Sequence, residues 1–490
     1  MPKFQDRGTF PGENMTKFPN IIRFLAFGAL LTSGVMPAGA PAIAASSVTS
    51  HATQNSESLV TVPAPRGDRT TAAMHAYLRD LALRNQFTGS VLVVRRGEVL
   101  LRSAAGPADA EKHIPNRPDT VFRLASITKQ FTSMLMLKLR DRGLLGLDDP
   151  ICRYLIPAYL ATCPQAWRPV TIRQVLTHTS GIINIQEMPD FYAKLSRPTT
   201  TRALIQRFVR KPLDFEPGTS WKYSNGGYVL AGAIIQAVAH KPYGTVLHNE
   251  ITGPLHLRHT GYSRGNPPAG YAKGYFTVGD PAPPINGSQA FSATGIYSTV
   301  DDIARWDRSF GAYLVAPPAT VKLAFTPQAP CPANGCLNLP SSAYAFGWSV
   351  DRLNGRRLRY HHGLLQGYAA INMYLPDDDI AVVVLSNVQD TDTTASAATS
   401  PRWPSSLRTR GGLMVMGPFN GETRRWHRRA DPTPHCRHLL SEDPRRTPRR
   451  PPAAHPRRRD HRRIDYSATF KSSPWLLLLV QAGMPVGVER

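Results

Sequence analysis

Apolar side chains along the chain change period several times, and each change predicts an element. From Thr70 to Asn85 they recur at helical spacing, as Met74, Tyr77, Leu78 and Leu81, which predicts an amphipathic helix. Two short apolar runs, Ser90 to Val94 and Val99 to Leu101, then flank Arg95-Arg96-Gly97-Glu98, a hairpin signal. Helical spacing returns at Ser126 and continues through Met134, Leu135, Leu137 and Leu139 to Gly143, a glycine C-cap. Thr171-Ile172-Arg173-Gln174 reads as a capping box, with its helix ending near Thr179-Ser180-Gly181. Residues 201–210 read as helix, and Tyr228 to Val238 is apolar on nearly every face, the mark of a buried helix. Ser298-Thr299-Val300-Asp301-Asp302 starts a helix leading to Trp306 and Phe310. Strand patterns return late, at 346–350, 357–361, 369–374 and 380–385. Strands at both ends with helices between predict an α+β fold. Its antiparallel sheet is flanked by helices, carries a mainly helical insert, and closes by joining the N-terminal hairpin to the C-terminal strands.

Composition divides the chain further. At 490 residues and 42% hydrophobic it has enough apolar material for a sizeable core, although 44 prolines are many. The formal charge of +24 suggests a nucleic acid or anionic surface until its distribution is read. Residues 395–490 carry 19 Lys+Arg against 7 Asp+Glu, half of the excess in the last fifth of the chain. At the other end, Lys17 and Arg23 precede an apolar stretch from Phe24 to Met36 and then small residues with Ala42-Ile43-Ala44 as a cleavage site. That pattern predicts a signal peptide over 1–45, a Ser/Thr/Ala/Pro-rich linker over 46–69, and a periplasmic or secreted protein with no stable membrane insertion after cleavage. Cys152 with Cys163 and Cys331 with Cys336 could close two short-loop disulfides in such a compartment, leaving Cys436 over.

Ser126 and Lys129 are one turn apart and would share a helix face. Such a pair alone is also what a solvated helix face looks like. Two later stretches offer partners. Tyr223-Ser224-Asn225 supplies a phenol and a carboxamide ahead of the buried helix, and His361-His362-Gly363-Leu364 follows a strand. With S-x-x-K, Y-x-N and H-x-G in that order, residues 70–390 resemble the serine β-lactamase, penicillin-binding protein and esterase superfamily, in its class C-like branch. The flanking phrases Leu176-Thr177-His178-Thr179-Ser180-Gly181 and Glu216-Pro217-Gly218-Thr219 belong to the same resemblance.

The resemblance implies an exported serine hydrolase that forms an acyl-enzyme on Ser126, acting on an ester, amide, D-amino-acid peptide or β-lactam. Lys129 and Tyr223 would together take the serine proton, with the lysine charge lowering the phenol's pKa. Backbone N–H groups of Ser126 and of Leu364, after Gly363, would hold the oxyanion. Asn225 would orient the substrate amide or the lysine, and His361 would stand where relatives have a third-motif lysine. The partner expected is a small-molecule or peptidoglycan-derived substrate, with no nucleic acid, no metal, no cofactor and a monomeric state.

Two stretches stand apart. Gly261-Tyr262-Ser263-Arg264-Gly265 matches the G-x-S-x-G nucleophile elbow, but Asn266-Pro267-Pro268 follows where that motif needs a helix. Residues 391–490 are Arg/Pro-rich and without periodicity just where relatives carry a C-terminal helix. A disordered basic tail, an appended module and a frameshifted translation compete there, and the abrupt loss of pattern favours the frameshift. An inactive or misfolded homologue lacking that helix, retained for binding peptidoglycan or not retained, is the alternative to the enzyme.

Overall fold

A computed structural model of the chain describes residues 59–61, 69–268, 270–332, 335–336, 341–353 and 355–391. The expected signal peptide, most of the expected linker, and the tail from residue 392 onward, with Cys436 and the readings made of it, lie outside the described residues. The strands of the main sheet are β1 (Leu59–Thr61), β2 (Gly89–Arg95), β3 (Glu98–Ala105), β4 (Ala329–Pro330), β5 (Ala343–Tyr344), β6 (Ser349–Leu353), β7 (Arg356–Leu365), β8 (Tyr368–Leu375) and β9 (Ile380–Ser386). They form one sheet in the order β1-β3-β2-β9-β8-β7-β6-β5-β4. The two ends of the sequence meet at its centre, where β9 pairs antiparallel with β2 from Ser386 opposite Gly89 to Ile380 opposite Arg95. The linker reading needs one correction. Leu59–Thr61 is an edge strand on β3, because an open sheet edge accepts main-chain hydrogen bonds whatever the side chains are.

Helix α1 (Arg69–Leu83) lays Met74, Leu78 and Leu81 on one face of the sheet, against Val91, Val93, Leu101 and Val382. Burying each such side chain stabilises the fold by about 1.5–3 kcal/mol relative to exposure. Among the described residues it is the only helix contributing to that apolar layer. The opposite face packs on α2 (Thr128–Asp141), which is buried along most of its length with α3 (Asn225–Ala239) against it, and on α4 (Val300–Gly311), which lies directly on β9 and β2. Ser133 Oγ and Tyr228 Oη, 2.9 Å apart, tie α2 to α3. The capping box at Thr171 forms with both of its reciprocal bonds. Thr299 caps α4 through the Asp302 N–H. Disulfides join Cys152 to Cys163 and Cys331 to Cys336. Among the described residues no helix is long and apolar enough to cross a membrane.

Candidate active site

Three local structures build the site. A 3₁₀ turn, Ala125–Ile127, precedes α2, so Ser126 lies just ahead of the α-helix instead of within its first turn. Ala125 takes a φ of 48°, a conformation that non-glycine residues seldom adopt, and it turns the chain sharply into the serine. Ser224 caps α3 by accepting from the Gly227 N–H, which sets Tyr223 just outside the helix and Asn225 at its first position. The third structure is the hairpin of β7 and β8, closed by the two residues Gln366 and Gly367, the latter at φ 80°.

Hairpin geometry decides where the Leu364 N–H points. Residues flanking a two-residue turn exchange both hydrogen bonds, and bonded pairs alternate with unbonded ones along the ladder. Leu365 opposite Tyr368 is bonded, and so are Gly363 opposite Ala370 and His361 opposite Asn372. The peptide groups of His362 and Leu364 therefore point away from β8. That edge is open, because β6 pairs only with Arg356 to Tyr360. Gly363 presses on the serine turn here. A Cβ on it would stand 2.3 Å from Leu124 O and 3.2 Å from the Ser126 nitrogen, so only glycine fits.

Lys129 Nζ lies 3.1 Å from Ser126 Oγ, 2.7 Å from Asn225 Oδ1 and 3.0 Å from the Ala293 carbonyl oxygen. The Asn225 amide is oriented by its own bonds, with Nδ2 donating to Asn184 Oδ1 and Gln186 Oε1 at 3.0 and 2.8 Å. Lys129 is completely buried, and desolvation draws its amine well below the usual lysine range. A neutral amine has two N–H groups and one lone pair. The two carbonyl oxygens take the N–H groups, which leaves the lone pair for the Ser126 hydroxyl.

The expectation that Lys129 lowers the Tyr223 pKa does not hold. Burial pushes the Tyr223 phenol up, against a smaller downward pull from its hydrogen bond with Ser126. The reason is that the phenol is itself completely buried, and desolvation penalises the phenolate more than its neighbours favour it. Tyr223 stays protonated, with Lys129 Nζ 4.7 Å from its ring centroid. His178 packs against the same ring at 4.4 Å and accepts the Ser224 N–H on Nδ1 at 3.1 Å. Burial holds His178 well below the usual imidazole range.

The adjacent histidines part company. His361 is fully buried, its Nδ1 2.6 Å from the His362 carbonyl oxygen and its Nε2 3.1 Å from Tyr344 Oη. A carbonyl only accepts, so Nδ1 carries the proton and Tyr344 donates to Nε2. The sequence reading put His361 against substrate, but it lies behind the wall, and His362 lines the pocket in its place. Asn225 lies behind the wall too and orients the lysine. The pocket itself has a volume of ≈ 390 Å³ and opens over Ser126, Tyr223 and Leu364. Gln186, Gln366, Gln389, Tyr192, Trp221 and Lys222 also line its walls, and Pro332, Gly335 and Cys336 form part of its rim. Ser263 sits away from it in a loop, accepting the Gly265 N–H at 3.3 Å.

The family model that describes beta-lactamase matches residues 70–401. The chain belongs to the beta-lactamase family. It is 29% identical over 306 residues to protein flp of Staphylococcus aureus strain N315, covering 61% of this chain and 59% of that protein. It is 36% identical over 200 residues to esterase EstB of Burkholderia gladioli, covering 38% of this chain and 50% of that one. The chain thus spans less than two thirds of these curated relatives. A D-stereospecific amidohydrolase from Streptomyces sp. superposes with a TM-score of 0.55 at 27% identity, over 65% of this chain and 94% of that one.

Proposed function

We propose that the protein is an exported serine hydrolase that forms an acyl-enzyme on Ser126. The observation that carries this reading is the position of Lys129 Nζ, held by Asn225 Oδ1 and the Ala293 carbonyl oxygen and 3.1 Å from Ser126 Oγ, where a neutral amine has its lone pair left for the serine. Ser126 Oγ attacks an acyl carbon as Lys129 takes its proton, the protonated Tyr223 gives its own proton to the leaving group, and Lys129 returns the serine's proton to Tyr223, which leaves the amine neutral. The N–H groups of Ser126 and Leu364 hold the oxyanion that develops. Water then cleaves the Oγ–acyl bond with Lys129 again as base. Export is supported by the signal pattern of residues 1–45 and by two disulfides, which persist in oxidising compartments.

A fluorophosphonate tests the reading directly. Stoichiometric label on Ser126, lost in Ser126→Ala and kept in Ser263→Ala, is the expected result. An unlabelled wild-type chain overturns it and leaves the inactive homologue.

A further inference from the structure

The pocket over Ser126 holds no free positive charge among the described residues. Lys222 is the one lysine or arginine in its walls, and its Nζ is shared between Glu187 and Asp214, at 2.9 Å each. The rim cluster therefore carries one cation against two carboxylates. Desolvation draws Lys129 beneath the floor well below the usual lysine range, and burial pulls His362 down to about 4.

What the walls do offer is uncharged. Gln186 Oε1 accepts from Asn225 and Gln389 Oε1 accepts from the Gly367 N–H, so each keeps its NH₂ group for a ligand. Gln366 donates to the Pro283 carbonyl and keeps its own carbonyl oxygen. Trp221 and Tyr192 add aromatic surface. Amide donors, an amide acceptor and aromatic rings suit a neutral acyl compound. A carboxylate brought here would leave water without gaining a partner cation, next to a rim of excess negative charge.

We infer that this pocket selects uncharged acyl substrates, esters or amides that bear no free carboxylate, over those with a carboxylate near the scissile bond. The inference rests on the serine hydrolase reading above. The reaction is RCO–XR′ + H₂O giving RCOOH and HXR′, with X an oxygen or NH. The Ser126 Oγ–acyl bond forms as the C–X bond breaks, X takes the Tyr223 proton, and the serine's proton replaces it by way of Lys129. Water then breaks the Oγ–acyl bond, and the acid released ionises to the charge type that the pocket disfavours, which speeds its exit.

Two glutarate esters test this on the full chain, mono-p-nitrophenyl glutarate and the same compound with its far carboxylate methylated. They match in reach and differ in charge. The methyl ester is expected to have the higher kcat/KM, on the order of tenfold or more at low ionic strength, with the gap narrowing as salt is added. Equal or faster turnover of the half-ester overturns the inference. If turnover is too slow to follow, the two compounds compete with a fluorophosphonate for Ser126, and the methyl ester is expected to protect at the lower concentration; equal protection, or better protection by the half-ester, overturns the inference. Label on Ser126 together with a preference for the half-ester refutes the charge selection alone. Absence of both label and turnover refutes the hydrolase reading, and the inference with it.

Discussion

Lys129 Nζ sits closer to Asn225 Oδ1, at 2.7 Å, than to Ser126 Oγ, at 3.1 Å. The carboxamide thus determines which way the amine's lone pair faces. Asn225→Ala frees one N–H and lets the amine rotate, so kcat is expected to fall on the order of 100-fold with little change in KM. Asn225→Asp instead puts a carboxylate beside the amine and raises its pKa. The base must be unprotonated, so the acidic limb of the kcat/KM profile moves to higher pH. A limb that stays in place shows that Lys129 is not the titrating base.

Burial of Lys129 also makes stability depend on pH. Its folded pKa lies well below the ordinary 10.5, so between the two values the unfolded chain binds a proton that the folded chain does not. Wild-type stability therefore falls as pH drops through this window. Measured against Lys129→Met, which cannot titrate there, the difference in unfolding free energy should shift toward the wild type by about 1.4 kcal/mol per pH unit on going up. Parallel pH profiles for the two proteins would mean that the buried lysine is charged.

Gly363→Ala should separate activity from folding. The added methyl meets Leu124 O and the Ser126 nitrogen, which are backbone atoms that yield only if the serine turn moves. A loss of about 100-fold in kcat is expected, alongside a urea midpoint that moves much less than that of a core variant such as Leu135→Ala. Activity close to wild type would show that the turn and the strand edge are looser than their contact implies.

The two histidines should give different kinetic signatures. His362→Ala alters a pocket wall and is expected to change KM several-fold with kcat nearly kept. His361→Ala removes the acceptor of the Tyr344 hydroxyl inside the core and should lower stability by about 1–3 kcal/mol. Steady-state kinetics and urea unfolding of both variants check this, and the reverse pattern would return His361 to the substrate.

Much of this was legible in the residue order because it depends on short-range spacing. Ser126 and Lys129 are neighbours on any helical turn, and Ser224 caps α3 and sets Tyr223 and Asn225 beside it. The strands announced themselves through apolar runs. What was not legible depends on packing. Asn184, Gln186, Gln366 and Gln389 come from separate loops that meet only in the folded chain, and nothing in their local sequence marks them. His178 was visible in its phrase, but not its contact with Tyr223. The protonation of Lys129 and Tyr223 was misjudged for a related reason: spacing shows which groups meet, whereas desolvation depends on everything that encloses them.

The aim of the Leu364 amide follows from a count of residues back from a two-residue turn. It does not depend on the distant parts of the sheet or on whatever follows residue 391. Damage elsewhere in the molecule could shift the hairpin as a body, changing its distance from Ser126, but it could not rotate that N–H out of line while the turn holds. Direction is thus stored locally in this protein and distance globally. A weakened scaffold should blunt the chemistry by degrees and leave its kind unchanged.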